Sequence, residues 1–213
     1  MNENHDHAAP GHQAPHGEQA WDERYQTSPE IWSGDPNAAL VAEVAGLRPG
    51  TALDAGSGEG GDAFWLAGRG WKVTAADISS VAIERAAKRA SELGLTITWL
   101  HADLAKVPAP QVYDLVTSHF LHVPKAEQPP LFRHLAGAVA SAGTLLVVGH
   151  DFSDMAKLPR PDLIEYGWKA EEVAAVLGDG WTIEVAESRP RQAAGPDGEE
   201  ITIHDAILRA RRD

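Results

Sequence analysis

Short apolar runs alternate with stretches of helical spacing along most of the chain. A buried strand opens at Thr51, and further apolar or β-branched runs follow at 71–76, 95–100, 112–118 and 143–150. The run 112–118 is almost continuously apolar, the composition of a parallel strand covered on both faces. Between these runs, apolar residues recur every three to four positions: Ala38, Leu40, Val41 and Val44, then 61–70, then 81–93. Pro129 and Pro130 suit the first turn of a helix that presents Leu131, Leu135 and Val139 on one face, and 169–177 forms another helix. Near the C-terminus, 181–185 and 201–203 alternate as two strands around the turn Gly195-Pro196-Asp197-Gly198. The pattern predicts an α/β protein with seven strands that ends in an antiparallel hairpin.

The edges of this pattern set the domain plan. Residues 1–20 are rich in His, Pro, Gly and Gln, offer little to a core, and read as a disordered tail. His5, His7, His12 and His16 could hold a transition-metal ion loosely, but a flexible polar tail explains them and no metal site is assigned. Residues 21–213 form a single domain, with 21–48 as an N-terminal helical lid and 150–168 as a loop covering the pocket. Trp21, Tyr25 and Trp32 either anchor the N-terminal segment to the sheet or line the pocket beneath the lid.

The first strand runs directly into Gly56, Gly58 and Gly61, a G-x-G-x-x-G spacing followed by a helix. Side-chain-free positions let the backbone turn sharply and approach a ligand. Asp77 ends the next strand, where an acid can accept both hydroxyls of a ribose or, alternatively, cap the following helix. Ser79 and Ser80 can serve as the cap, which leaves Asp77 for the ribose. Asp54 and Glu59 would put negative charge beside a dinucleotide's pyrophosphate, whereas a cationic ligand would be attracted. S-adenosylmethionine, a sulfonium with an ammonium and a ribose, fits that charge.

The stretch Leu53-Asp54-Ala55-Gly56-Ser57-Gly58-Glu59-Gly60 resembles the first motif of class I S-adenosylmethionine-dependent methyltransferases. Val73-Thr74-Ala75-Ala76-Asp77-Ile78-Ser79, His101-Ala102-Asp103-Leu104 and the run from Tyr113 to His122 resemble the motifs that follow in that family's order. Within the class, the chain looks most like small-molecule enzymes of the tellurite-resistance and thiopurine type. The resemblance implies a three-layer Rossmann-like sandwich whose seven-stranded mixed sheet has its last strand antiparallel. It also implies S-adenosylmethionine as cofactor and S-adenosylhomocysteine as product. Donor contacts would come from Asp54, Gly56, Ser57, Gly58, Asp77, Ile78, Asp103, Leu104 and Ser118, with Asp103 on the adenine amino group and Leu104 and Ile78 bracketing the ring.

His119 and His122 at the end of the fourth strand could orient the acceptor or remove its proton, or could serve only structural hydrogen bonds. Trp21, Trp32 and His150 are candidates for the acceptor pocket. Asp114, at the opposite end of that strand, has a structural role. The net charge of -13 argues against nucleic acid, whose binding depends on Lys and Arg. The partner expected is a small molecule methylated on an N, O, S or similar atom. No apolar run reaches the roughly 20 residues of a membrane span, and the absence of cysteine fits the cytoplasm. Two other functions share the glycine loop: an NAD(P)-dependent oxidoreductase, and a non-catalytic protein that binds the methyl donor. Oligomeric state cannot be read from the sequence.

Overall fold

The computed structural model describes residues 15–151, 153, 165–194 and 199–213. Its elements run α1 (Glu18–Gln26), α2 (Ala38–Val44), β1 (Thr51–Ala55), α3 (Gly61–Gly68), β2 (Lys72–Asp77), α4 (Ser80–Glu92) and β3 (Thr98–His101). β4 (Tyr113–His119), α5 (Gln128–Gly137), β5 (Val139–His150), α6 (Ala170–Leu177), β6 (Trp181–Ala194) and β7 (Glu200–Arg212) complete the chain. The strands form one seven-stranded sheet in the order β3-β2-β1-β4-β5-β7-β6. β1 to β5 are parallel, and β7 runs antiparallel to both β5 and β6.

Successive residues of the central strands alternate between two cores, as the period of a strand requires. Leu53, Val116, Leu145, Val147 and Leu208 face a core closed by Leu131 and Leu135 of α5 and Val173 of α6. Ala52, Leu115, Leu146, Val148 and Ile207 face the other, closed by Leu40 and Val44 of α2 and Leu66 of α3. With both faces covered, the polar ends of the strands are what remains for a ligand. The chain order reverses beside β1, which lies between β2 and β4, so the carboxyl ends of these strands frame a crevice.

Asp114 is structural as expected: its carboxylate accepts hydrogen bonds from Thr51 N (2.7 Å) and Thr51 Oγ1 (2.8 Å), tying β4 to the start of β1. Two boundaries differ from the sequence reading. Helix α1 begins at Glu18, inside the stretch expected to be a disordered tail, because Glu18 favours the first turn of a helix and its carboxylate meets His101 at 3.1 Å. His16 approaches Glu127 at 3.1 Å, while His5, His7 and His12 lie outside the described residues. The terminal hairpin is also far longer than the alternation suggested, with 14 residues in β6 and 13 in β7.

Ion pairs hold the extension of that hairpin. Arg189 and Arg209 both grip the nearly buried Glu43 of α2, at 2.7 and 2.8 Å, and Arg191 pairs with Asp205 at 2.9 Å. Two guanidiniums offset the cost of burying one carboxylate. Pro190 is tolerated because β6 is an edge strand. The turn 195–198 and most of the covering loop lie outside the described residues. Among those described, no helix is long and apolar enough to cross a membrane.

Gly149 of β5 lies under the indole of Trp168, where an added Cβ would come within 2.5 Å of Nε1. Gly149→Ala is expected to cost about 1–3 kcal/mol through overpacking, measured as a lower midpoint in urea unfolding with an unchanged slope.

Candidate active site

The turn after β1 folds back on β2: Gly56 N and Ser57 N both donate to Ala76 O, at 2.8 and 3.0 Å. Gly56 and Gly58 have positive φ of 77° and 51°, in the region that favours glycine. A Cβ on Gly56 would collide with Leu121, and one on Gly58 would lie 2.9 Å from the Tyr25 hydroxyl. Above this turn is a cavity of about 210 Å³. Ser57 Oγ is buried there without a hydrogen-bond partner.

Asp77 lines the cavity at the end of β2 and is buried. One of its oxygens accepts from Gly58 N (2.7 Å) and the other from Ser79 N (2.8 Å). These bonds fix the carboxylate, and each oxygen keeps a second lone pair for a ligand. Burial raises the Asp77 pKa despite the opposing hydrogen bonds from Ser79, Gly58 and Ile78 and the charge of His101. Ser79 caps α4 through Ala82 N at 3.1 Å, as anticipated. Ile78, Asp103 and Leu104 line the cavity beyond Asp77. Asp103 also pairs with Lys106 at 2.7 Å and accepts from Ala105 N.

Asp54 and Ser118 stand behind this wall, each only 2% exposed. Asp54 belongs instead to a buried group with Asp62 of α3 and His119 of β4, whose polar atoms lie within 4.8 Å of one another. His119 Nδ1 is 2.8 Å from Asp62 Oδ2, an ion-pair distance. Asp62 Oδ1 accepts from Asn37 N at 2.6 Å, and Thr117 Oγ1 donates to Asp54 Oδ1 at 3.4 Å. Asp54 Oδ2 has no hydrogen-bond partner. Burial and the Asp62 charge push Asp54 up to about 7, against the pull of His119. Burial alone would lower the His119 pKa, but the Asp62 and Asp54 carboxylates outweigh it and raise the value.

The N-terminal segment reaches the same cavity. Asp22 of α1 accepts from Ser79 Oγ (2.5 Å), Ser80 Oγ and Val81 N, which fastens α1 to the start of α4. These bonds hold its pKa down although burial opposes them. Tyr25 is buried, accepts from Trp32 Nε1 at 3.1 Å, and has its pKa raised by burial and by Asp77. Glu59 accepts from Ile31 N and Trp32 N and pairs with Arg85 at 3.1 Å. This adds a partner to the charge reading of the loop: Glu59 lines the cavity, but its carboxylate is paired with Arg85 and holds the Trp32 segment.

Phe120 adopts a left-handed φ of 49° between the two candidate histidines. His119 lies inside the buried ion pair, whereas His122 stands in an aromatic row. Its ring is nearly parallel to those of Trp21 (6.2 Å) and His150 (5.3 Å), with Tyr166 edge-on at 5.7 Å. Trp21, Trp32, His119, His122 and His150 all line the cavity. Asp22, Asp62 and Arg85 had not been assigned to the site from sequence. Asp62 had a visible signal, an acid in a helix's first turn beside the glycine loop, but the other partnerships span 26 to 59 residues.

Residues 52–143, the central stretch of the chain, match the family model described as a methyltransferase domain. This match, the seven-stranded fold and neighbours such as one solved with bound SAM support an S-adenosylmethionine-dependent methyltransferase with the class I fold. A solved structure concerned with the conversion of a disulfide bond into a thioacetal group during echinomycin biosynthesis is 27% identical, covering 93% of this chain and 92% of that one at a TM-score of 0.73. Magnesium protoporphyrin IX methyltransferase from Synechocystis PCC 6803, solved with bound SAM, is 26% identical over 83% of this chain and 76% of its own, at a TM-score of 0.61. TehB from Haemophilus influenzae shares the fold at 18% identity and a TM-score of 0.70, over 92% of this chain and 67% of that one. Comparison with curated proteins gives no match.

The buried carboxylate of Asp54 has a signature in stability. Its folded pKa lies above the unfolded value near 3.9, so the folded state holds the extra proton between the two values and loses stability as pH rises through that window. Asp54→Asn is therefore expected to raise the melting temperature at pH 8. Melting scans should show the gain shrinking as pH falls toward 5.

Proposed function

We propose that this enzyme transfers a methyl group from S-adenosylmethionine to an N, O, S or similar atom of a small molecule bound beside the aromatic row. The single observation that carries the donor assignment is the acidic glycine cradle. Gly56 and Gly58 leave no room for side chains against Leu121 and Tyr25, Asp62 and Asp77 rim it, and the buried Ser57 Oγ has no partner. That surface suits a cation and repels a pyrophosphate.

Gly56, Ser57 and Gly58 would bind the donor's amino-acid end, Asp77 its ribose, and Ile78, Asp103 and Leu104 its adenine. Asp54 and Ser118 support this wall from behind. The donor supplies an electrophilic methyl group on a positively charged sulfur. The protein's task is to hold the acceptor in line with that carbon, and positioning of this kind can supply about 7–11 kcal/mol of the barrier. His122, stacked with Trp21 and His150, is the group we assign to take a proton from a hydroxyl acceptor; a thiolate would not require it. His119, paired with Asp62, is a positioning residue.

α1 and the segment through Trp32 act as the lid, fastened by Asp22 and Glu59. A lid this close to the donor cradle favours a small acceptor over a nucleic acid, in keeping with the net charge of -13. Similarity to the protein of echinomycin biosynthesis supports sulfur among the possible acceptor atoms. A chain without cysteine fits the cytoplasm, the compartment we assign.

Calorimetric titration with S-adenosylmethionine, S-adenosylhomocysteine and NAD(H) tests the donor. Micromolar binding of the first two is expected, with at least a ten-fold loss in Asp77→Ala; binding of NAD(H) alone would overturn the reading. The lid makes a separate prediction. Asp22→Ala should speed dissociation of S-adenosylhomocysteine several-fold in stopped-flow fluorescence while leaving the melting temperature within a few degrees.

A further inference from the structure

We propose that Asp54, Asp62 and His119 form a proton-linked anchor for the cationic donor, so that seating S-adenosylmethionine drives a proton off the buried trio. The inference rests on the donor assignment above and gives its positioning residues, Asp62 and His119, a proton-linked role with Asp54.

The geometry sets up the linkage. Asp62 and His119 line the cavity beside the glycine turn, and Asp54 closes it from behind. The groups facing Asp54 come from every element around it. β2 contributes Asp77, α3 contributes Asp62, and β4 contributes His119 and the hydroxyl of Thr117. The segment before α2 brings the Asn37 N–H to Asp62. Asp35 of the same segment lines the cavity. The trio can hold two negative charges and one positive, with Asp77 adding repulsion and no Lys or Arg among these groups.

A net negative charge in a buried place is costly unless a cation or a proton offsets it. Without a ligand, the proton sits on Asp54, whose Oδ2 has no other partner and whose pKa of about 7 lies where the exchange can happen. The donor carries one net positive charge, from its sulfonium and ammonium against its carboxylate. Its arrival replaces the proton: the Asp54 O–H bond breaks, the electron pair stays on the carboxylate, and the proton leaves to solvent. Donor affinity therefore rises with pH. Each unit below the free-state pKa costs about ten-fold in affinity, and the dependence levels off above it.

The test is calorimetric titration of the full chain with S-adenosylmethionine at pH 6, 7 and 8, each in two buffers of different ionisation enthalpy. Binding about ten-fold tighter at pH 8 than at pH 6 is expected, with a buffer-dependent heat near pH 6.5 that reports release of most of one proton. Asp54→Asn should abolish both effects. His119→Gln removes the positive partner and should move the midpoint to higher pH, which a purely structural role would not do. This variant and the two-buffer comparison carry the test if Asp54→Asn fails to fold. An unchanged midpoint in Asp54→Asn would overturn the inference and assign the proton to Asp77. Donor binding that is flat with pH in the unaltered protein would overturn it while leaving the donor assignment standing. Absence of S-adenosylmethionine binding at every pH would remove both.

Discussion

A sheet buried on both faces can show polar chemistry only at its ends, and this constraint shapes the site. Leu53 and Ala52, Leu115 and Val116, and Leu145 and Leu146 hand successive side chains to opposite cores, which leaves no interior place for a charge. Asp54, Asp77 and His119 stand at or next to the carboxyl termini of their strands, where the apolar alternation stops. Their closeness follows from strand order: β1 has β2 on one side and β4 on the other. Carboxylates that are far apart in sequence converge as a consequence of the parallel register.

That convergence creates an electrostatic demand, which different charges meet in different ways. Glu59 is answered by Arg85 and two backbone N–H groups and serves as a fastening for the Trp32 segment. Glu43 of α2 is answered by two arginines from the hairpin. The trio of Asp54, Asp62 and His119 has one imidazole for two carboxylates. Its imbalance at the donor cradle contrasts with the balanced pairs elsewhere, and it is the feature that favours a cationic ligand over a phosphate.

The periodic parts of the fold were legible in the sequence because strand and helix alternation is local. The glycine turn, Asp77 and the capping by Ser79 could be read for the same reason, since each is decided within a few residues. The hairpin was underestimated because Arg189, Pro190 and Arg191 break the apolar alternation. Their place in a strand depends on Glu43 and Asp205, partners that no local pattern reveals. Asp54 was assigned to the donor directly, yet the pairing of β1 with β4 turns it toward His119 and Asp62. The charge of Glu59 was read correctly as a charge but without Arg85, and electrostatics depends on neighbours in space.

The fastening of α1 also bears on turnover. Asp22 holds α1 to Ser79, Ser80 and Val81, directly after the residues assigned to ribose and adenine. Tyr25 and Trp32 lie over Gly58 from the same side. Under the proposed assignment, a nucleoside seated beneath them would leave along that path only once these bonds open, which would tie the exit of spent donor to a rearrangement of the N-terminal segment rather than to the methyl transfer itself. In such an enzyme the slow step of each cycle can be the opening of a clasp, with the rate set by hydrogen bonds to one aspartate remote from the reacting atoms.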